Sequence, residues 1–435
     1  MMENIAAIGF YAGLMLLIWG FYGWRRGART RLNQAKLAAA KAAGLTEPAS
    51  LHPLVDHGLC IGCGACVEAC PEKKVLGLIH GKAELVNPAA CIGHGACQAV
   101  CPAGGITLVF GTATRGLDIP QVQPNFETNV PGIFIAGELG GMGLIRNAST
   151  QGRQAVESIA KLEGIGKAGQ LDLLIVGAGP AGIAAALTAK SLGLNYQVVE
   201  QDSLGGTVFQ YPRGKLVMTA PVALPLVGKV ELTETSKEQL LDLWNQIVSD
   251  HQLNIHYQER MEKLHNQGDH FTIHTSKGEY QSRAILLAIG RRGTPRKLGV
   301  PGEELPKVVY SLLDPEQYQD QQVLVVGGGD SALEAACSIA EESGTKVTLS
   351  YRSDGFSRAK QKNRDRVEAN VANGNMTVML SSTVKQITEQ QVVIEQNGEQ
   401  HALVNDGVLV CAGGILPTGF LKEVGIQVET KYGTA

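Results

Sequence analysis

From Asn4 to Trp24 the chain runs for 21 residues without a charge (NIAAIGFYAGLMLLIWGFYGW), and Arg25, Arg26, Arg29 and Arg31 follow at once. About 20 apolar residues suffice to cross a bilayer, so this run predicts one membrane-spanning helix. Trp19, Tyr22 and Trp24 gather at its C-terminal end, as interfacial aromatics do, and the cations behind them place the remainder on the cytoplasmic side. A cleaved signal peptide carries its positive charge ahead of the apolar run, where Glu3 stands here. An Ala-, Lys- and Arg-rich stretch then leads to Pro48 and reads as a short helix and linker. From Leu171 onward apolar strands alternate with Ala-rich helical stretches. LDLLIVGAGPAGIAAALTAKSLGLNYQVVE (171–200) reads as strand, Gly-rich turn, helix, strand, and QQVLVVGGGDSALEAACSIAEESGTKVTLSYR (321–352) repeats that plan at an offset of 150 residues. Such alternation predicts parallel sheets covered by helices.

Composition changes this picture at Gly and Cys. The 53 Gly are about 12% of the chain against roughly 7% on average, as Gly-rich phosphate loops require. A net charge of −3 gives no reason to expect a nucleic-acid partner. Of nine Cys, seven fall in two packets, CIGCGACVEACP (60–71) and CIGHGACQAVCP (91–102). Cys60, Cys63, Cys66 and Cys70-Pro71 have the spacing of the bacterial ferredoxin run, which implies a [4Fe–4S] cluster and a reducing compartment. In two-cluster ferredoxins the fourth Cys of each run serves the other cluster. That resemblance assigns Cys60, Cys63, Cys66 and Cys101 to one cluster, and Cys91, Cys97 and Cys70 to a second. His94 stands where the second packet needs its remaining Cys. It either ligates a [4Fe–4S] cluster through an imidazole nitrogen, raising its potential as His does in Rieske centres, or lies beside a three-Cys [3Fe–4S] cluster. Cys337 and Cys411 stand alone and read as small buried hydrophobes.

The first Gly-rich turn, Gly177-Ala-Gly179-Pro180-Ala181-Gly182, has a complete context. In the dinucleotide fingerprint Gly177 makes the tight turn, Gly179 lets the pyrophosphate approach the backbone, and Gly182 lets helix and strand pack closely. Glu200 closes the second strand and can bind ribose hydroxyls, while the helix N-terminus faces the phosphates. The second turn, with Gly327, Gly329, Asp330 and Ser331, lacks that acid: Ser350 occupies the matching place. Arg352 follows, with Arg358 beyond, so a 2′-phosphate is welcome there, and NADPH is preferred to NADH.

The chain from 171 to 435 resembles the thioredoxin-reductase-like flavoproteins. The resemblance rests on GAGPAG, VVEQDSLGGTV with Gly205 and Gly206, LLAIG ending at Gly290, GGGDSALEAA and VLVCAGGILPTGFL. It implies FAD on the first unit and NADPH on the second, with the nicotinamide stacking on the flavin. TNVPGIFIAGE (128–138) resembles the family's other FAD motif, in which Gly137 and Glu138 meet the pyrophosphate and ribitol. The helix beginning near Asn147 and Ala148 would then point its dipole at the isoalloxazine. In the family this motif comes last; here it precedes the first FAD unit, so the order looks circularly permuted. No redox dithiol lies between Gly290 and Gly327, and Ala181 stands where the bacillithiol-reductase-like branch has a Cys. YPRGKLVMTAP (211–221) nevertheless resembles that branch.

The expected fold is α/β: paired Rossmann-like FAD and NADPH domains, a small α+β two-cluster ferredoxin domain and one N-terminal transmembrane helix. The expected boundaries are 1–27 for the anchor, 28–50 for a linker, 51–111 for the ferredoxin-like domain and 112–165 for the displaced FAD segment. FAD-binding 171–292, NAD(P)H-binding 293–412 and a return to the FAD domain over 413–435 complete the chain. The expected function is electron transfer between NADPH, FAD, the clusters and a one-electron partner (a ferredoxin, cytochrome or quinone), at the cytoplasmic face of the inner membrane. Family habit suggests a homodimer. Two alternatives stand: a low-molecular-weight disulfide reductase, and a non-enzymatic redox sensor at the membrane.

Overall fold

The computed structural model describes residues 2–434 apart from 43–47, 49–50, 73–74, 92, 94, 114–115, 142, 167–170, 220, 233, 292 and 358. The chain forms two compact units, one of residues 1–116 with 432–435 and one of residues 117–431.

The first unit opens with a single helix α1 (Met2–Ala42). Strand β1 (His52–Val55) leads to helix α2 (Ala65–Ala69), the hairpin of β2 (Leu76–Ile79) and β3 (Lys82–Leu85), helix α3 (Ala96–Ala99) and β4 (Ile106–Val109). β1 and β4 pair antiparallel, with His52 opposite Val109. Each short helix starts from a left-handed Gly, Gly64 (φ 80°) before α2 and Gly95 (φ 75°) before α3. Gly62 and Gly93 repeat the match one turn earlier, at φ 70° and 80°. The two packets therefore share a backbone that only Gly adopts cheaply. The C-terminal half of α1 is docked on the hairpin: Asn33 Nδ2 donates to the Leu78 carbonyl at 3.0 Å, and Gln34 meets His80 at 2.8 Å. A Cβ on Gly81 would come within 2.5 Å of the Arg26 guanidinium, and one on Gly62 within 2.0 Å of the Gly81 carbonyl. Helix, hairpin turn and first packet are thus in direct contact.

Among the described residues no helix is long and apolar enough to cross a membrane. The transmembrane helix expected over 1–27 therefore has no support here. The side chains of residues 2–9, which begin the apolar run, lie outside those described, and from Arg25 the same helix continues through a basic stretch to Ala42.

The second unit, whose first strands are β5 (Leu117–Pro120) and β6 (Ile133–Ile135), is built on two main sheets, with smaller antiparallel ones beside them. The first main sheet is built on β7 (Leu171–Val176), which lies parallel to β8 (Tyr196–Val199) on one side and to the strand Glu279–Leu287 on the other. β7 is apolar at five of its six positions, as a strand buried on both faces must be. Its one acid, Asp172, is buried, and both carboxylate oxygens accept backbone N–H groups, from Gly166 and Asn195. The upstream strand Ile133–Ile135 adds to this sheet in parallel, with Ile133 opposite Ile285. Helix α4 (Ile145–Ile159) follows it and buries Ala148, Ser149, Gly152, Ala155, Val156 and Ile159, a helical-period stripe. That stripe packs on α5 (Pro180–Ser191), whose run of small residues is buried throughout its middle. Leu421 and Ile426, from the C-terminal part of this unit, join the core on the sheet's other face.

The second sheet has five parallel strands in the spatial order 308–309, 407–410, 322–326, 346–350 and 376–379. Helix α6 (Lys237–Asp250) joins the core of the first sheet, and helices α7 (Asp330–Ala340) and α8 (Gln361–Ala372) cover the second.

Candidate functional site

At the first Gly-rich turn the Gly177 N–H donates to the Val199 carbonyl at 2.8 Å, tying the turn to the end of β8. A Cβ on Gly177 would stand 2.6 Å from the Ala288 carbonyl, and one on Gly182 only 1.8 Å from the Gly177 carbonyl. Both positions are closed to any other residue. Gly179 differs: a Cβ there meets nothing within 4 Å. Gly179 is also the N-cap of α5 and supplies no side-chain cap. Open space in front of uncapped amides at a helix start is what a pyrophosphate needs. Pro180 opens the helix and Ala181 is buried behind it.

Glu200 lies where the sequence reading puts it, 6% exposed at the end of β8. One oxygen accepts the Ala178 N–H at 2.7 Å and the other the Asp202 N–H at 2.9 Å. Burial pushes its carboxyl above the usual range, against the pull of those backbone bonds. Gly205 and Gly206 pack beside the turn: the Gly205 N–H donates to the Ala178 carbonyl at 3.0 Å, and a Cβ on Gly206 would lie 3.4 Å from the Gly179 Cα. Gly137 joins the group from far upstream. A Cβ on it would sit 3.2 Å from the Ala181 Cβ and 3.6 Å from the Ala148 Cβ. Glu138 begins a short 3₁₀ turn, and Asn147 is half-buried in the first turn of α4, which starts two residues earlier than expected. Gly290 has φ 64° and open space around it.

The second turn repeats the first. The Gly327 N–H donates to the Ser350 carbonyl at 2.9 Å, and Gly329 is the open-sided N-cap of α7. Ser350, at the place that Glu200 holds in the first turn, is fully buried, its hydroxyl paired with that of Ser382 at 2.8 Å. Arg352 is exposed just past the strand, and Arg358 lies outside the described residues. Ser331 is exposed. Asp330 is the first residue of α7, and its Oδ1 accepts the Lys360 N–H at 2.8 Å and the Asn363 amide at 2.7 Å.

The packets gather around two cavities. Cys60, Cys63, Cys66 and Cys101 line one, and Cys70, Cys91 and Cys97 line the other. His94 lies outside the described residues. Among the described residues no three His, Cys, Asp or Glu close on a single metal ion; the thiols ring cavities instead, and four around one cavity suit a polynuclear cluster. Burial, with the neighbouring Cys60, Cys63 and Cys97, pushes the Cys66 thiol up to about 11. Burial raises Cys70, Cys91 and Cys97 too. Ligation has to displace those protons. Cys337 is fully buried, and burial pushes its thiol up to about 11, which fits an inert packing role. Cys411 is half-buried.

Three contributors escaped the sequence reading. Gln151 accepts the Gly137 N–H at 2.8 Å, and a Cβ on Gly152 would stand 2.1 Å from the Ala181 carbonyl. Lys82 donates to the carbonyls of Cys60 and His57 at 2.6 and 2.8 Å. The Gly inside the helical pattern STQGRQA was a usable signal for the second, since such a Gly usually marks close packing. Nothing local marks Lys82.

Comparison with known proteins agrees with this geometry. The pyridine nucleotide-disulphide oxidoreductase family model matches residues 174–434, and the 4Fe-4S dicluster domain model matches residues 52–102. Bacilliredoxin reductase of Bacillus subtilis is 30% identical over 267 residues, 60% of this chain and 82% of that protein. A ferredoxin–NADP reductase of Ignicoccus hospitalis is 32% identical over 270 residues, 60% and 83% of the two chains. Among solved structures, the bacillithiol disulfide reductase of Staphylococcus aureus shares 29% identity at a TM-score of 0.52, covering 60% of this chain and 81% of that one. The Bacillus cereus enzyme shares 27% at 0.53, covering 60% and 83%.

Proposed function

The chain belongs to the pyridine nucleotide-disulphide oxidoreductase family and carries a 4Fe-4S dicluster domain, and from that premise we propose that it moves electrons between NADPH and a one-electron partner by way of FAD and two clusters. The observation that carries this reading is the joining, in one chain, of two open-sided Gly turns and two Cys-ringed cavities. When bound, FAD exchanges electrons in twos with the nicotinamide and singly with the clusters. The chain's own part is to hold and to tune. The amides at the start of α5 take the FAD pyrophosphate, Glu200 fixes the turn through Ala178, and Gly137 closes the site from the displaced segment. The start of α7 takes the NADPH pyrophosphate, and Arg352 selects the 2′-phosphate. Cys60, Cys63, Cys66 and Cys101 hold one cluster; Cys70, Cys91 and Cys97, with His94, hold the other.

An anaerobic titration of the holoprotein with NADPH, followed by optical and EPR spectra, tests this. Flavin bleaching followed by cluster signals is the expected result. Flavin reduction with both clusters left oxidised sinks the forward relay and moves reverse flow, toward NADP⁺, to first place. His94→Cys should lower the second cluster's potential if imidazole ligates it; an oxidised-state [3Fe–4S] signal in the unaltered protein speaks against ligation.

The likeness to bacilliredoxin reductase supports disulfide reduction as a second reading. Turnover with a low-molecular-weight disulfide that survives changing both Cys337 and Cys411 to Ser would leave only direct flavin-to-disulfide transfer. Membrane attachment is a further part of the proposal. Eleven large apolar side chains of α1, from Phe10 to Trp24, are 46–78% exposed, and so large an apolar surface calls for a covering. Equal partition of the full chain and a chain lacking residues 1–27 between membrane and soluble fractions would refute it.

A further inference from the structure

We propose that Lys82 raises the reduction potential of the cluster held by Cys60, Cys63, Cys66 and Cys101, and so draws electrons to the exposed end of the dicluster unit. This rests on the relay reading above. Lys82 opens β3. Its ammonium bridges the Cys60 carbonyl at 2.6 Å and the His57 carbonyl at 2.8 Å, and the Ala83 N–H next to it donates to Cys60 Sγ at 3.4 Å. A cluster that accepts an electron gains a negative charge. A cation and an N–H at its ligand favour that state, so both raise the potential.

The second packet is built differently. Its described lining includes the acid Glu72, where the described lining of the first cavity has no acid, and no ammonium is described on a Cys carbonyl of the second set; Lys73 and Lys74 lie outside the described residues. The Cys70 and Cys91 sulfurs face the carbonyls of Glu72 and Leu51, at 3.6 and 3.9 Å. Access follows the same division. Cys63 is exposed and Ile61 beside it is 70% exposed, whereas Cys91 and Cys97 are buried. The site that best holds an electron is therefore the one an incoming partner can reach.

The test is a mediated redox titration of the holoprotein followed by EPR. It uses dithionite and needs no turnover with NADPH, so a failed relay and a failed potential assignment give different results. Cys63→Ser marks which signal belongs to the first packet. In the unaltered protein that signal should have the higher midpoint. Lys82→Met and Lys82→Gln should each lower it, cutting its reduced-to-oxidised ratio at fixed potential about tenfold, or about 59 mV for a one-electron couple. Lys82→Arg should restore it, and the other cluster should not move. A second-packet cluster of higher midpoint overturns the proposal. So does an unshifted first cluster, or its loss from both neutral variants while Arg preserves it, which would mark Lys82 as a clamp on the turn only.

Discussion

The two dinucleotide turns are built to one plan and finished differently. Gly177 and Gly327 each tie to the strand that ends alongside them, and Gly179 and Gly329 each leave the helix start open. In the first turn, Gly182 presses on the Gly177 carbonyl and a buried acid, Glu200, holds Ala178. In the second, Ala332 replaces that Gly, Ser350 is sealed against Ser382, and the Tyr351 ring lies over Gly328. Close packing and an internal acid suit a cofactor that stays. An exposed Arg352, with Ser350 in the place of the acid, suits a dinucleotide that comes and goes and is chosen by its 2′-phosphate.

The change that breaks this contrast hardest is Gly182→Ala. Its methyl would need the space of a backbone carbonyl, so the purified protein should lack flavin absorbance. The mirror change, Ala332→Gly, should keep flavin and NADPH turnover and cost about 1 kcal/mol of helix propensity. Next comes Arg352→Ala. A hydrogen bond to a charged group is worth about 1.5–3 kcal/mol, so KM for NADPH should rise roughly ten- to a hundredfold while KM for NADH stays put. Equal loss with both nucleotides would remove the specificity role. Gly328→Ala should act more mildly. Its Cβ would fall 2.4 Å from the Tyr351 ring, a side chain that can swing, so KM for NADPH should rise several-fold with flavin content unchanged.

The smallest effect sharpens the role of Glu200. Burial raises its pKa in the folded chain. Its contribution is therefore greatest below the ordinary carboxylate range and fades as pH rises through the folded value. Glu200→Gln should abolish that pH-dependent part of the melting temperature of the flavin-free protein. A pH profile unchanged by the substitution would show that the acid is not the titrating group.

Legibility followed locality. The turn at Gly177 could be read because strand, Gly spacing, helix and acid all fall within one short stretch. The strand Ile133–Ile135 is only three residues long; resemblance to a family motif joined it to the FAD site, while its place beside Ile285 had no local signal. The sharing of Cys70 and Cys101 between packets likewise came from the ferredoxin pattern. Lys82 was invisible because the hairpin carries it back to Cys60 across 22 residues of sequence, and a lone Lys has no pattern. The partners of Asp330 were invisible for a related reason. One of its carboxylate oxygens serves Lys360 and Asn363, which a turn motif cannot announce. The apolar run at the N-terminus and a short basic helix after it were plain in sequence, but their union in one unbroken helix was not.

That helix has a mechanical consequence. α1 runs unbroken from Met2 to Ala42, about 60 Å at 1.5 Å per residue, and its far half is fastened to the hairpin that touches the first packet. It is a mast rather than a leash. Whatever grips its outer end also fixes the azimuth of the cluster-bearing unit. Inserting one residue after Trp24 would turn the gripped face by about 100° and lift it by about 1.5 Å, so such insertions should modulate delivery to a held partner with a helical period.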